Sequence, residues 1–130
     1  MPRRDQPEFR LQCAVADLLR LTAMPGVYWT ALPFGEKRSL ETGARLKRMG
    51  VRAGAGDILL LVNGLAIMLE LKVEKGRQSD TQRDTEEAWT VANGLYFVAR
   101  GYHEAREFLE RVQAIRPDRS IIRHQPEERA

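Results

Sequence analysis

Cysteine is almost missing from these 130 residues: Cys13 stands alone. A single thiol closes no intrachain disulfide and builds no cysteine-rich zinc site. Histidine is nearly as scarce, and His103 and His124 both lie in polar surroundings, so they read as surface residues. No apolar run reaches the roughly 18 residues of a membrane-spanning helix. Met1-Pro-Arg-Arg-Asp5 leads into no apolar segment, so no secretory leader is expected and a cytoplasmic setting is. A strong charge of one sign is absent too: 21 Lys and Arg stand against 18 Asp and Glu, for a net +3. That mild basic bias is compatible with a nucleic-acid partner without requiring one. Repeats and low-complexity segments are lacking. What remains is an ordinary globular composition, 43% hydrophobic and 30% charged, suited to one domain. We expect it over 1–116, with a charged, mobile tail over 117–130.

The element order expected is α-β-(α)-β-β-α-β-α. Apolar residues at helical spacing predict a helix over 5–21, capped by Asp5 with Pro7 in its first turn. Val27 to Leu32 is β-branched and aromatic, hence a strand. A short helix over 40–49 would end at Gly50, the usual left-handed cap. Strands follow over 57–62 and 65–73, a helix from Ser79 or Asp80 to Asn93-Gly94, a strand over 95–99 and a helix over 103–115. Away from its charged end the hairpin is apolar on both faces, so both need cover. This predicts an α/β fold, a central mixed sheet with helices on both faces. The strand over 95–99 would lie parallel to 65–73 after a helical crossover. Trp29 and Trp89 are assigned to the core.

The hairpin carries the chemistry. Asn63-Gly64 suits a type I′ turn, which needs positive φ at both central residues. Its two-residue loop pairs Val62 with Leu65, and every pair of numbers then adds to 127. Continued outward, this register sets Asp57 against Glu70, with Cβ atoms roughly 4.5–5.5 Å apart. Lys72 projects from the same face as Glu70. Carboxylates that close repel, so one takes a proton or both share a cation. Two acids and a lysine on one sheet face form a candidate divalent-metal hydrolytic site. The alternative is a plain Glu70–Lys72 contact, since buried acids are rare unless paired.

Other charged residues keep two readings. Glu8 and Gln12 share a helix face, and Glu8 also suits a capping box with Asp5. Gln82 faces the site or closes a capping box with Ser79. Lys37, Arg38, Arg45, Lys47, Arg48 and Arg52 precede Asp57; Lys75, Arg77 and Arg83 flank the other side. They form either a solvated face or a track for a phosphate backbone. Gly54 and Gly56 lack side chains where a substrate would approach, or simply make the loop flexible.

Gly56-Asp57 followed by Glu70-Leu71-Lys72 resembles the PD-(D/E)xK nuclease signature. The wider succession is more specific. Glu8-Phe-Arg-Leu-Gln12, Arg45-Leu-Lys-Arg-Met-Gly50-Val, Gly54-Ala-Gly-Asp57, Leu69-Glu-Leu-Lys72 and Gly76-Arg-Gln-Ser79-Asp-Thr-Gln82 resemble, in order, the VRR-NUC branch, the virus-type replication and repair nucleases. One departure is Gly56, where the signature has proline. The resemblance implies a restriction-endonuclease-like core and a Mg²⁺- or Mn²⁺-dependent endodeoxyribonuclease. Asp57, Glu70 and the Leu71 carbonyl would ligate the metal, and Glu8 would reach it directly or through water. Lys72 would orient or deprotonate the attacking water, Gln82 and Gln12 would complete the site, and Ser79 would join the basic residues at DNA. It also implies a homodimer acting on branched DNA, in the manner of Holliday-junction resolvases in phage or bacterial repair. A silent DNA-binding module and a restriction-type duplex endonuclease are the other readings weighed.

Overall fold

Asn63 and Gly64 take φ of 50° and 84°, the left-handed pair that a type I′ turn demands. The computed structural model in which they sit describes residues 6–32, 40–73 and 75–118. Lys37, Arg38, Asp5, His124 and the tail from 119 onward lie outside the described residues. The order is α1 (Pro7–Thr22), β1 (Val27–Ala31), α2 (Leu40–Arg48), β2 (Ile58–Val62), β3 (Leu65–Lys72), α3 (Asp80–Val91), β4 (Leu95–Arg100) and α4 (Tyr102–Arg111).

The four strands form one mixed sheet in the order β1-β2-β3-β4. Its first two pairings are antiparallel. β4 joins β3 in parallel after the α3 crossover, with Glu70 beside Val98. The hairpin ladder runs from Val62↔Leu65 to Ile58↔Leu69, the register that the turn predicts.

One sheet face carries the main core. Ile58, Leu60, Ile67, Leu69 and Ala99 pack there against Val15 and Leu19 of α1 and Phe108 and Leu109 of α4. Phe97 stacks on Phe108 with ring centroids 4.2 Å apart. The opposite face, which carries Glu70, is covered by α3 on the β4 side. There Trp89 is half-buried and its indole N–H donates to the Leu95 carbonyl at 2.9 Å. Cover therefore exists on both faces, but it is incomplete on the second: Tyr28 is 65% exposed and Leu61, its partner across β1–β2, 47%.

Two local expectations change, the cap of α1 and the end of the last helix. Gln6, not Asp5, is the N-cap of α1, and its side chain makes no capping bond. Leu21 is exposed, because the buried stripe of α1 is Val15, Ala16 and Leu19. The last helix ends early, near Gln113 with φ 65°. Ile115 is buried through a bridge to Ala23 instead of a helical turn. The chain stays docked just past the expected domain end, where the Arg106 guanidinium donates to Asp118 at 2.6 Å.

Candidate active site

Asp57 departs slightly from the expected ladder. Its amide donates to the Leu69 carbonyl at 2.8 Å, not to Glu70, and its carbonyl accepts from Leu32 at 2.8 Å. This one-residue slip ends the hairpin pairing at Ile58. It also turns the Asp57 side chain back across the strand end, where Oδ2 accepts the Leu71 amide at 2.6 Å. The N–H and C=O of one strand residue point to the same side. The Leu71 carbonyl is thus aimed toward Asp57 too.

Burial pushes the Asp57 carboxyl above its ordinary 3.8; the Leu71 bond draws it back, the Glu70 charge raises it and Lys72 lowers it. The two acids and the lysine therefore act on one another, as residues sharing a sheet face must.

Glu70 is fully buried. Its Oε1 accepts the Tyr96 hydroxyl at 2.6 Å and the Gln78 side-chain amide at 2.9 Å. Among the described residues its Oε2 has no hydrogen-bond partner. Lys72 Nζ lies 3.5 Å from Oε2, near enough to balance charge without the alignment of a good hydrogen bond. Burial, the Glu70 bond and the surrounding carboxylates push the Tyr96 phenol far above its ordinary range, so it stays protonated and donating.

Lys72 opens onto a cleft of about 380 Å³, lined also by Arg77, Ser79, Thr81 and Gln82 at the start of α3. A second groove of about 400 Å³ runs along α3 between Gln78, Glu86 and Val91; of the two, only the first is lined by Lys72. Ser79 and Gln82 form a complete capping box: Ser79 Oγ accepts the Gln82 amide at 3.2 Å and Gln82 Oε1 accepts the Ser79 amide at 2.9 Å. Gln82 thus borders the cleft with its carbonyl oxygen engaged.

The two glycines make room for protein. A Cβ on Gly54 would sit 2.3 Å from the Thr81 carbonyl oxygen, and its φ is +82°. A Cβ on Gly56 would sit 2.7 Å from Met68 Cγ, so Met68 fills the space that a side chain there would need. The Thr85 hydroxyl adds a bond to Ala53 O at 3.1 Å, and the loop before Asp57 is clamped to α3. Gly54→Ala is expected to cost ~2 kcal/mol or more, from left-handed strain and backbone overlap. A urea melt checks this; an unchanged midpoint would show that the loop is not clamped.

Glu8 is exposed in the first turn of α1, and Gln12 is half-buried one turn on. Among the described residues no three carboxylate, histidine or cysteine side chains converge on a metal position. Glu8 therefore stands apart from Asp57 and Glu70. The reason is that α1 docks through Val15, Ala16 and Leu19, on the other sheet face. Arg45, Lys47, Arg48, Arg52, Lys75, Arg77 and Ser79 are all exposed. Gly50, at φ +105°, ends α2 with the Val51 amide bonded to Leu46 O at 2.9 Å.

Sequence reasoning missed Gln78, Tyr96 and Glu86. Gln78 donates to Glu86 Oε1 at 2.9 Å as well as to Glu70. Glu86 is one helical turn beyond Gln82 and on its face, a spacing that was available. Nothing local says which glutamine of the Gln78–Gln82 stretch turns inward.

No protein-family model matches the chain, and no curated protein does. Among solved structures it is similar to a protein described as "VRR_NUC domain protein". The TM-score is 0.68 at 19% identity, over 82% of this chain and 88% of the other. The two share a fold, the restriction-endonuclease-like α/β core.

Proposed function

We propose that the protein is a divalent-metal-dependent DNA endonuclease that selects branched structures. The observation that carries this is the unsatisfied Oε2 of a fully buried Glu70, beside Asp57 and Lys72. Lys72 balances the charge of this oxygen at 3.5 Å but makes no aligned hydrogen bond to it, and a buried carboxylate oxygen left so is costly unless a further ligand meets it. The site fits a hard ion: Asp57, Glu70 and the Leu71 carbonyl supply oxygen donors only, the set that Mg²⁺ or Mn²⁺ takes. When bound, such an ion polarises a phosphoryl oxygen and lowers the pKa of water.

The chain's own residues do the rest. Leu71 N–H fixes the Asp57 carboxylate. Lys72 Nζ, held by Glu70 at the cleft, orients or deprotonates the water that attacks phosphorus. In-line attack that breaks the P–O3′ bond, with the departing 3′-oxygen taking up a proton, would leave 5′-phosphate and 3′-hydroxyl ends. Arg45, Lys47, Arg48, Arg52, Lys75 and Arg77 give the phosphate backbone a basic track toward the cleft, with Ser79 at its edge. Gln82 borders the cleft, while Glu8 and Gln12 lie on α1, which docks on the other sheet face, and take no part in holding the ion. The fold shared with a VRR_NUC domain protein supports the nuclease reading. Exposed Tyr28 and Leu61 support a two-fold homodimer, which sets two sites against two strands.

Cleavage of labelled four-way junctions, flaps and linear duplex in Mg²⁺ or Mn²⁺ tests the proposal. Junctions are expected to be cut, with rates falling steeply as salt rises. No cleavage of any substrate, with binding retained, would mean a silent binding module. A reproducible duplex cut sequence without branch preference would mean a restriction-type enzyme. A monomer by sedimentation velocity would remove the dimer.

A further inference from the structure

Glu70 has two oxygens in two different situations. Oε1 is saturated by Tyr96 at 2.6 Å and Gln78 at 2.9 Å, while Oε2 accepts no hydrogen bond and has only the Lys72 ammonium at 3.5 Å. Gln78 cannot be read the other way round. Its Nε2 lies 2.9 Å from both Glu70 Oε1 and Glu86 Oε1. Flipping the amide would set its carbonyl against two carboxylates, whereas its two N–H groups satisfy one oxygen each. The bridge joins three elements: β3 through Glu70, the turn before α3 through Gln78, and α3 through Glu86.

We infer that Gln78 and Tyr96, with Gln78 held by Glu86, are positioning residues that occupy Oε1 of Glu70 and so reserve Oε2 for the divalent cation. The role rests on the metal-dependent reading above. Without the bridge a carboxylate is free to rotate and offer either oxygen, or both. With it, Glu70 presents one oxygen in one direction. Partners of this kind orient metal ligands, and their loss typically weakens metal affinity about 10- to 100-fold. Glu86 acts at one remove: it takes the second Gln78 N–H and prevents the amide from turning.

Two measurements on the full chain test this. In metal-free protein, ¹⁵N–¹H spectra are expected to show both Gln78 side-chain protons shifted downfield and slow to exchange. Glu86→Ala is expected to release one of them, while Glu86→Gln, which keeps an acceptor, retains both. Calorimetric titration with Mn²⁺ is expected to show affinity about 10- to 100-fold weaker in Gln78→Ala and Tyr96→Phe. Glu86→Ala should show a smaller loss in the same direction. DNA affinity without metal should be unchanged, which a general loss of structure would not leave intact. Wild-type Gln78 protons that exchange like a free amide would overturn the inference. So would Mn²⁺ affinities equal to wild type in both Gln78→Ala and Glu86→Ala. Protected Gln78 protons with no Mn²⁺ uptake by the wild type would instead sink the metalloenzyme reading, and the positioning role with it. Should Gln78→Ala fail to fold, Glu86→Ala and Tyr96→Phe still decide.

Discussion

Lys72→Met is expected to abolish cleavage and also to destabilise the metal-free fold by about 3 kcal/mol or more, the usual result of removing one partner of a buried ion pair. Glu70 is 0% exposed, and the Lys72 side chain is 19% exposed. The pair is screened far less than a surface salt bridge, which is worth only ~0–1 kcal/mol. Gln78 and Tyr96 already serve the other oxygen and cannot replace the lost cation. The double variant Glu70→Gln/Lys72→Met should recover most of the stability and none of the activity, because it removes the buried charge along with its partner. Urea unfolding in EDTA measures both. A Lys72→Met midpoint equal to wild type would show that the ammonium does not balance Glu70 and belongs to the cleft alone.

Asp57→Asn should separate activity from stability in opposite directions. If Asp57 holds the proposed metal, its loss removes several kcal/mol of charge stabilisation in the transition state. At 1.36 kcal/mol per decade, cleavage should fall on the order of 10³-fold. Stability should rise. The Asp57 carboxyl is raised above its ordinary 3.8, chiefly by burial. The native state therefore holds this proton more tightly than the unfolded chain. Its contribution is most favourable below about pH 3.8 and is lost as pH rises through the folded-state pKa. At neutral pH the ionised, buried Asp57 weighs against folding. Asparagine keeps an acceptor for the Leu71 amide and removes the charge, so in EDTA at neutral pH it should unfold at higher urea. The gain should shrink as pH falls toward 3.8. Reduced stability of Asp57→Asn at neutral pH would refute this account of the site's electrostatics.

Much of the site was legible because it rests on short-range physics. Asn63-Gly64 admits one turn type, that turn admits one register, and the register brings Glu70 and Lys72 to the face and end of the sheet where Asp57 lies. Ser79 and Gln82 are three apart, so their capping box follows from helix geometry, as the left-handed close of α2 follows from Gly50. These outcomes depend on neighbours within a few residues, and sequence spacing encodes them directly.

Packing decided the rest. The slip at Asp57 depends on the Leu69 carbonyl and the Leu71 amide, which no pairing rule singles out. Whether Gln78 or Gln82 meets Glu70 depends on how the turn before α3 seats against β4, where Tyr96 waits. Gly54 and Gly56 look like loop freedom in the sequence, yet Thr81 and Met68 fill the space beside them. Glu8 is separated from the acids because α1 buries Val15, Ala16 and Leu19 on the other face of the sheet. The incomplete cover over Tyr28 and Leu61 is likewise invisible to periodicity, which shows that a face is apolar and not what lies on it. The sequence by itself determined the hairpin, its register and the pairing of two acids with a lysine, because each is set by local backbone geometry. Only the tertiary structure decided which oxygen of Glu70 is spent on protein and which is left open, because that depends on side chains brought together from β3, β4 and α3.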